Sequence, residues 1–390
     1  MSPAERRAGV SLAAIFALRM LGVFLILPVY AVHAHGTPGG DDVAQVGMVI
    51  GVYGLTQAFL QIPFGAASDR FGRKPVIVFG LVLYVIGSVV AALAPDVHTV
   101  VIGRVLQGAG AISAAVTALA ADLTRDQHRT KVMAMIGASI GLVFAISMVA
   151  APLLYSVIGM SGLFWLIAGL AVVAIFAVIF VVPAAPPVPR ATARFSEVLG
   201  NSQLMRLNFG VFALHLMQTA MWVLVPAGLV RAGLPVAEHW KVYLPAVLVS
   251  FTVMVPAVIV AEKKGAMKSI FNSAIGLLLA VQVGLYFEGN AGMWPLAILL
   301  TLFFVAFNVL EATQPSWISK IAPPHAKGTA LGIYNTLQSI GMFLGGALGG
   351  WLAQHVGPGA VWVLGGGLAV AWLILASGMS APVRRNVATA

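Results

Sequence analysis

Four residues able to carry or exchange charge stand inside long apolar runs of this chain: Arg19, Arg104, His215 and Glu311. Charge in hydrocarbon is costly. Even the lenient insertion scale puts an arginine at a helix centre at about 2.5–3.5 kcal/mol, so such residues face protein or water. Glu311 is the one carboxylate well inside a run. Low dielectric disfavours its charged form; water, or a cation such as His215 or Arg19, restores it. A carboxylate whose surroundings alternate in this way takes up a proton in one state and releases it in the other, which is what proton coupling requires. A cationic substrate would compete with the proton there, whereas Arg19 and Arg104 would hold an anionic or polar group, so substrate charge stays open. Blander readings stand beside these. His215 also reads as a hydrogen-bonded structural histidine, Arg104 as a structural arginine satisfied by carbonyls, and Glu311 as a permanent salt-bridge partner of Arg19.

The elements that position these residues are membrane helices. Hydrophobic residues make up 60% of the 390 and charged residues 9%, and the mean hydropathy is +0.98. A soluble domain has about a quarter of its residues charged. Spans are expected near residues 8–32, 43–66, 75–95, 97–121, 131–157 and 160–183, then 205–229, 239–261, 268–288, 293–318, 327–355 and 357–380, each long enough for a hydrocarbon core of ~30 Å. Arg19, His215 and Glu311 then lie about nine residues from the nearest basic chain end, roughly 13 Å deep at 1.5 Å per residue, deep enough to share one layer. The net charge of +10 comes from cations that recur in alternate loops, from Arg6 and Arg7 through Arg125 and Lys263 to Arg384. That is the positive-inside asymmetry, with both termini cytoplasmic; it is not the single basic face that nucleic acid needs. The N-terminus has the look of a signal peptide ending at Val32-His33-Ala34, but Arg19 interrupts the run, which reads as the first span.

Pro183, Pro186, Pro187 and Pro189 cannot continue a helix, so residues 184–200 read as a stiff extended linker. It separates a six-helix bundle at 1–183 from a second at 201–390. The halves echo each other. Phe16-Ala17-Leu18-Arg19 matches Phe212-Ala213-Leu214-His215, Ser139-Ile140-Gly141 matches Ser339-Ile340-Gly341, and Gly65–Lys74 has a worn counterpart in Glu262-Lys263-Lys264-Gly265. An even number of spans per half keeps the repeat's orientation, so the expected relation is a pseudo-two-fold along the membrane normal.

Three motifs lie in this frame. Gly65-Ala66-Ala67-Ser68-Asp69-Arg70-Phe71-Gly72-Arg73-Lys74 reads as a tight basic hairpin between spans 2 and 3. Arg104, Gln107 and Gly108 share a helical face in span 4. Gly137-Ala138-Ser139-Ile140-Gly141 in span 5 fits G-x-S-x-G, but that nucleophile pattern belongs on a strand–turn–helix; inside an apolar helix it reads as a small-residue packing face. No phosphate loop and no His-Glu-x-x-His is present. There is no cysteine, hence no disulfide or thiolate metal site.

The G-x-x-x-D-R-x-G-R-K loop and the R-x-x-Q-G-x-G element resemble signatures of the major facilitator superfamily, and the ensemble looks like its 12-span drug:proton antiporter branch. Span 5 departs from the antiporter motif, with Ala150, Ala151 and Leu153 where Gly-Pro and further glycine are usual. Leu18–Gly22 and Asn308–Ala312 are closest to a type within the branch that carries a C-terminal soluble domain, for which the ten residues after span 12 leave no room.

The resemblance implies an all-α membrane protein with twelve transmembrane helices in two bundles, and a central cavity lined by helices 1, 4, 7 and 10. It implies proton coupling by Glu311, His215, Arg104 and Arg19. It also implies a gating motif of Gly65, Asp69, Arg70, Gly72, Arg73 and Lys74, with Arg73 paired to Asp122 and Asp69 beside the start of span 11 near Gly328. Gln57, Gln61, Gln218, Asn308, Gln314, Asn335 and Gln338 would line the substrate cavity or act as interhelical glue. The expected function is proton-coupled export of small amphipathic compounds by alternating access, as a monomer in a bacterial inner membrane. Protons, a small-molecule substrate and the lipid bilayer are its partners, with no cofactor, no metal and no nucleic acid. A metabolite or sugar exporter of the same fold is the near alternative. A membrane-embedded hydrolase using Ser139 and His215, and a non-transporting sensor, are the remote ones.

Overall fold

A computed structural model describes residues 1–183, 195–288, 292–323 and 326–380. The described residues are helices and short connections: α1 (Pro3–Phe24), α2 (Leu27–Ala34), α3 (Val43–Phe71), α4 (Arg73–Ala92), α5 (Val97–Ala109), α6 (Ser113–Asp122), α7 (Asp126–Phe176), α8 (Phe195–Leu199), α9 (Ser202–Arg231), α10 (Trp240–Lys263), α11 (Met267–Glu288), α12 (Met293–Ile321), α13 (Lys327–His355) and α14 (Pro358–Ser377). Among the described residues, ten stretches are long and apolar enough to cross a membrane. One of them contains two of the expected spans, and α13 completes the twelve.

Several boundaries differ from those expected, each for a local reason. Span 1 divides into α1 and α2 at Leu25–Ile26, with a proline in the first turn of α2, where a missing N–H costs nothing. Span 4 divides into α5 and α6 at Gly110–Ile112, where a Cβ on Gly110 would collide with the Gly80 carbonyl. Spans 5 and 6 run through α7 without a loop, the junction being Gly159 alone at φ 64°. The helix α8 occupies the end of the stretch expected to be an extended linker; residues 184–194 lie outside the described ones.

The basic hairpin is also shorter than its sequence suggests. The helix α3 continues through Asp69 and Arg70 to Phe71, and Gly72 alone makes the turn into α4. Gly72 sits at φ 95°, ψ 150°, a region essentially closed to any side chain.

At the opposite end, Asp42 caps α3 by accepting from Ala44 and Gln45 N–H. Asp96 caps α5 by accepting from Thr99 N–H, and that bond holds the Asp96 carboxyl below its usual range. Exposed apolar side chains such as Phe59, Phe180 and Trp294 are what a lipid-facing surface presents.

The helix α13 is packed between α3 and α9. A Cβ on Gly51 would lie 2.6 Å from the Phe343 carbonyl oxygen, and one on Gly54 2.5 Å from that of Ser339. The positions of Gly47 and Gly346 are closer still, each against the other's carbonyl. On its other face α13 puts Gly341 and Gly345 against the Phe212 and Leu216 carbonyls of α9. Small residues let helix backbones approach this closely in a membrane. The seam parts toward the basic end. Gly47, Gly51, Gly54 and Ala58 of α3 are buried, whereas Ile62, Ala66 and Asp69 on the same face are exposed, and a Cβ on Gly328 or Gly332 of α13 would meet nothing within 4 Å. A second contact closes the opposite half. Phe144 of α7 packs on Phe304 and Phe307 of α12 at centroid distances of 5.6 and 6.3 Å, and on Phe24 of α1 at 5.1 Å. The two halves of the chain are thus joined at one end of the helices and separate at the basic end.

Candidate functional site: two buried charge centres

In the C-terminal half, α9 carries His215, α12 carries Glu311 and α13 carries Gln338. The His215 ring is buried, with Nδ1 3.0 Å from the Val211 carbonyl oxygen one turn earlier. A carbonyl only accepts, so Nδ1 carries the hydrogen and Nε2 is the lone-pair nitrogen of neutral His215. At Nε2 the Gln338 amide nitrogen stands 2.7 Å away and Glu311 Oε2 3.7 Å away. One ring nitrogen therefore serves two neighbours that suit opposite states. Gln338 donates to neutral His215, while Glu311 pairs with the imidazolium. Glu311 itself is about a third exposed, whereas its Oε2, the oxygen that faces His215, is buried without a hydrogen-bond partner. The buried Tyr334 hydroxyl, from α13, lies near and lacks a hydrogen-bond partner. The His215 ring is also edge-on to Phe307 at 5.7 Å, and Phe307 is half of the aromatic contact with Phe144.

In the N-terminal half, Arg19 of α1 and Arg104 of α5 lie 5.6 and 5.0 Å from the centre of the Tyr53 ring. Both are fully buried. Arg19 donates through Nη1 to Ser113 Oγ at 2.9 Å and through Nη2 to Gln57 Oε1 at 3.1 Å. Arg104 donates through Nε to the Val49 carbonyl at 3.2 Å and through Nη1 to Gln107 Oε1 at 2.7 Å. Gln107 in turn donates to Ser88, and Ser88 to the Tyr84 carbonyl. Glu311 is partnered by His215 and is not within ion-pair distance of Arg19.

The amide residues separate into groups. Gln57 and Gln338 each touch a charge centre. Gln61 is buried with neither amide atom bonded. Asn308 donates to Ser250 at 2.7 Å, tying α12 to α10. Gln314 is buried against the position of Gly210 and beside Trp372, between α9 and α14. Gln218 is buried, and Asn335 is half-buried with its carbonyl accepting from Ser339. Sequence reasoning passed over Tyr53, Ser113 and Tyr334. Tyr53 had a signal, since Tyr53, Gln57 and Gln61 recur at four-residue spacing and share one face of α3. Ser139 of α7 donates to the carbonyls of Ala13 in α1 and Ile136 in α7, so the G-x-S-x-G pattern is a helix contact.

At the basic end, Arg73 is the hub. It reaches Asp69 Oδ1 at 2.6 Å, Ser68 Oγ at 2.7 Å and Asp122 Oδ2 at 2.9 Å. Its three acceptors pin the end of α3 and the start of α4 to the end of α6. Lys74 donates to the Ile179 carbonyl at 3.4 Å, Arg70 lies over Phe71, and the position of Gly65 faces Ala114 at 3.5 Å. These contacts all lie within the N-terminal half.

The sequence profile of the Major Facilitator Superfamily matches residues 11–346. The chain is 46% identical over 388 residues to the "Inner membrane transport protein YajR" of Escherichia coli K12, covering 98% of this chain and 85% of that protein. It is 25% identical to the "Multidrug resistance protein MdtH" of Aeromonas hydrophila, covering 92% and 89%. Among solved structures it superposes on nucleoside transporter NupG with a TM-score of 0.76 at 13% identity, covering 95% and 99%. On the human organic anion transporter MFSD10 the TM-score is 0.73 at 19% identity, covering 96% and 100%. With the helices parted at one end, joined at the other, and charge centres buried between, the match extends from sequence to architecture: this chain belongs to the major facilitator superfamily, a multi-pass membrane transporter of small molecules and not an enzyme.

Proposed function

We propose that the protein is a proton-coupled exporter of small amphipathic compounds, working by alternating access between the two halves of the chain. The observation that supports this reading is the placement of His215. Its single free nitrogen meets Glu311 and Gln338, and its ring touches Phe307 of the aromatic contact that joins the halves. A proton on Nε2 turns a lone pair that accepts from Gln338 into a cation that pairs with Glu311. Gln338 belongs to α13, the helix whose glycines form the seam, so the proton and the seam act on one element. Arg73, tying α3, α4 and α6, keeps the N-terminal half rigid as the seam opens and closes.

The experiment is reconstitution in proteoliposomes. An imposed pH difference is expected to drive accumulation of a fluorescent amphipathic compound, and a protonophore to abolish it. Accumulation that ignores the pH difference overturns the reading.

In the same proposal the basic end faces the cytoplasm, as the loop cations imply. The cysteine-free chain makes this testable with Thr37→Cys and Ala4→Cys variants. An impermeant maleimide added to intact cells is expected to label position 37 and spare position 4; the reverse pattern inverts the topology.

A further inference from the structure

We infer that the N-terminal charge centre is a substrate subsite for an acidic group, so that the amphipathic compounds carried are organic anions. This rests on the transport reading above and adds the substrate class.

Two fully buried guanidiniums lie against the Tyr53 ring. Buried charges are ordinarily paired. Here every hydrogen-bond acceptor on Arg19 and Arg104 is neutral: a serine hydroxyl, two amide oxygens and one backbone carbonyl. Among the described residues no carboxylate lies within ion-pair distance of either. The sequence explains why, since the acidic residues of the N-terminal half (Glu5, Asp41, Asp42, Asp69, Asp96, Asp122 and Asp126) all fall at helix ends or in loops. The one carboxylate inside a span, Glu311, stands by His215 in the other half. The interior thus carries two fixed positive charges against one negative charge that a proton removes.

Unused donors point the same way. Arg19 Nε and Arg104 Nη2 are buried without a partner, as is the Tyr53 hydroxyl. Arginine presents its donors in a planar fork suited to carboxylate, sulfonate or phosphate oxygens. Of the groups on Arg19, Ser113 is buried and Gln57 is half-buried, so Gln57 is the one nearer the open side. Its amide oxygen occupies a place on Nη2 where an acid oxygen would bind more strongly, because hydrogen bonds between two charged partners are roughly twice as strong as neutral ones. A cationic compound would meet two arginines and only one carboxylate. An acid meets its counter-charge in one half, and its apolar body is left for the Phe307 side, beside the proton site. Arg104 is held by the Val49 carbonyl and by Gln107 of its own half; Arg19, through Gln57, is the contact residue.

The test uses purified protein in nanodiscs and three compounds on one aromatic scaffold: an aryl-alkyl carboxylic acid, its primary amide and the corresponding amine. Binding is read by tryptophan fluorescence. The acid is expected to bind at least tenfold more tightly than the amide or the amine. Arg19→Gln should erase that preference, and Arg19→Lys, which keeps charge but not the fork, should retain part of it. Monodisperse elution of the Arg19→Gln variant, together with a far-UV spectrum and thermal transition like the parent's, separates loss of the site from loss of the fold.

Chloride and sulfate at the same concentrations are the inorganic arm. The inference is overturned if no acid binds, if amine or amide binds as well as the acid, if Arg19→Gln keeps the preference, or if the inorganic anions alone give the full response. Acid binding without pH-driven flux in liposomes would leave this subsite standing and remove the proton coupling, so the two readings fail separately.

Discussion

Glu311→Gln is expected to yield folded protein that still exchanges substrate across a liposome membrane and no longer concentrates it under an imposed pH difference. Glutamine has nearly the shape of a protonated glutamate, so packing around α12 is kept. It carries no charge in either state and cannot pair with the His215 imidazolium 3.7 Å away. Exchange needs only the movement of the halves; accumulation needs a group that binds a proton on one side and releases it on the other. Equilibrium exchange should stay within about threefold of the parent, while the pH-driven concentration ratio falls to one. The pair of measurements matters. Loss of both would mark Glu311 as structural, and retention of driven uptake would transfer the coupling to His215 alone.

Gly346→Val should have an effect as large, at the level of conformation. The Cβ position of Gly346 already presses on the Gly47 carbonyl and lies 2.7 Å from the Gly51 nitrogen. A branched side chain there cannot be absorbed by a rotamer change, because its neighbours are backbone. Overpacking of this kind costs about 1–3 kcal/mol, and each 1.4 kcal/mol shifts a two-state ratio tenfold. The joined state is what loses, so the population moves toward the opposite opening. Cysteines placed at Val46, which is buried next to Gly47, and at Gly328, whose Cβ position is open, report it: maleimide reactivity is expected to rise at position 46 and fall at position 328 in the valine background, with net transport down by more than tenfold. A valine variant that transports normally would mean that the glycine seam is only packing.

How much of this could be read from the residues depended on range. Charged residues inside apolar runs were legible, because local sequence sets them, whereas the Arg73–Asp122 pair, 2.9 Å apart, was implied only by the family resemblance, and the turn at Gly72 alone was not foreseen. Nor was the length of α3. Asp69, Arg70 and Phe71 look like loop by charge, yet they stay helical, since a basic helix end protruding from a membrane has water to solvate it. The partner of Glu311 was also hidden. Arg19, His215 and Glu311 lie at similar depth, and depth alone does not say which helices are neighbours; the packing of α9 on α12 and α13 decided for His215. Nor did composition reveal that Asn308 and Gln314 would turn away from the charge centres, as side-chain direction depends on helix rotation that no short motif specifies.

The position of α13 between α3 and α9 has a consequence for biosynthesis. Its glycines, with Asn335 and Gln338, fit it to other helices and leave it poorly suited to lipid; it is absent from the stretches apolar enough to span unaided. A ribosome delivers helices in chain order, N-terminal first, so α3 and α9 are already in the membrane when α13 emerges. The helix with the weakest claim on lipid arrives after both surfaces it fits. Its place late in the chain gives it those surfaces from the moment it emerges.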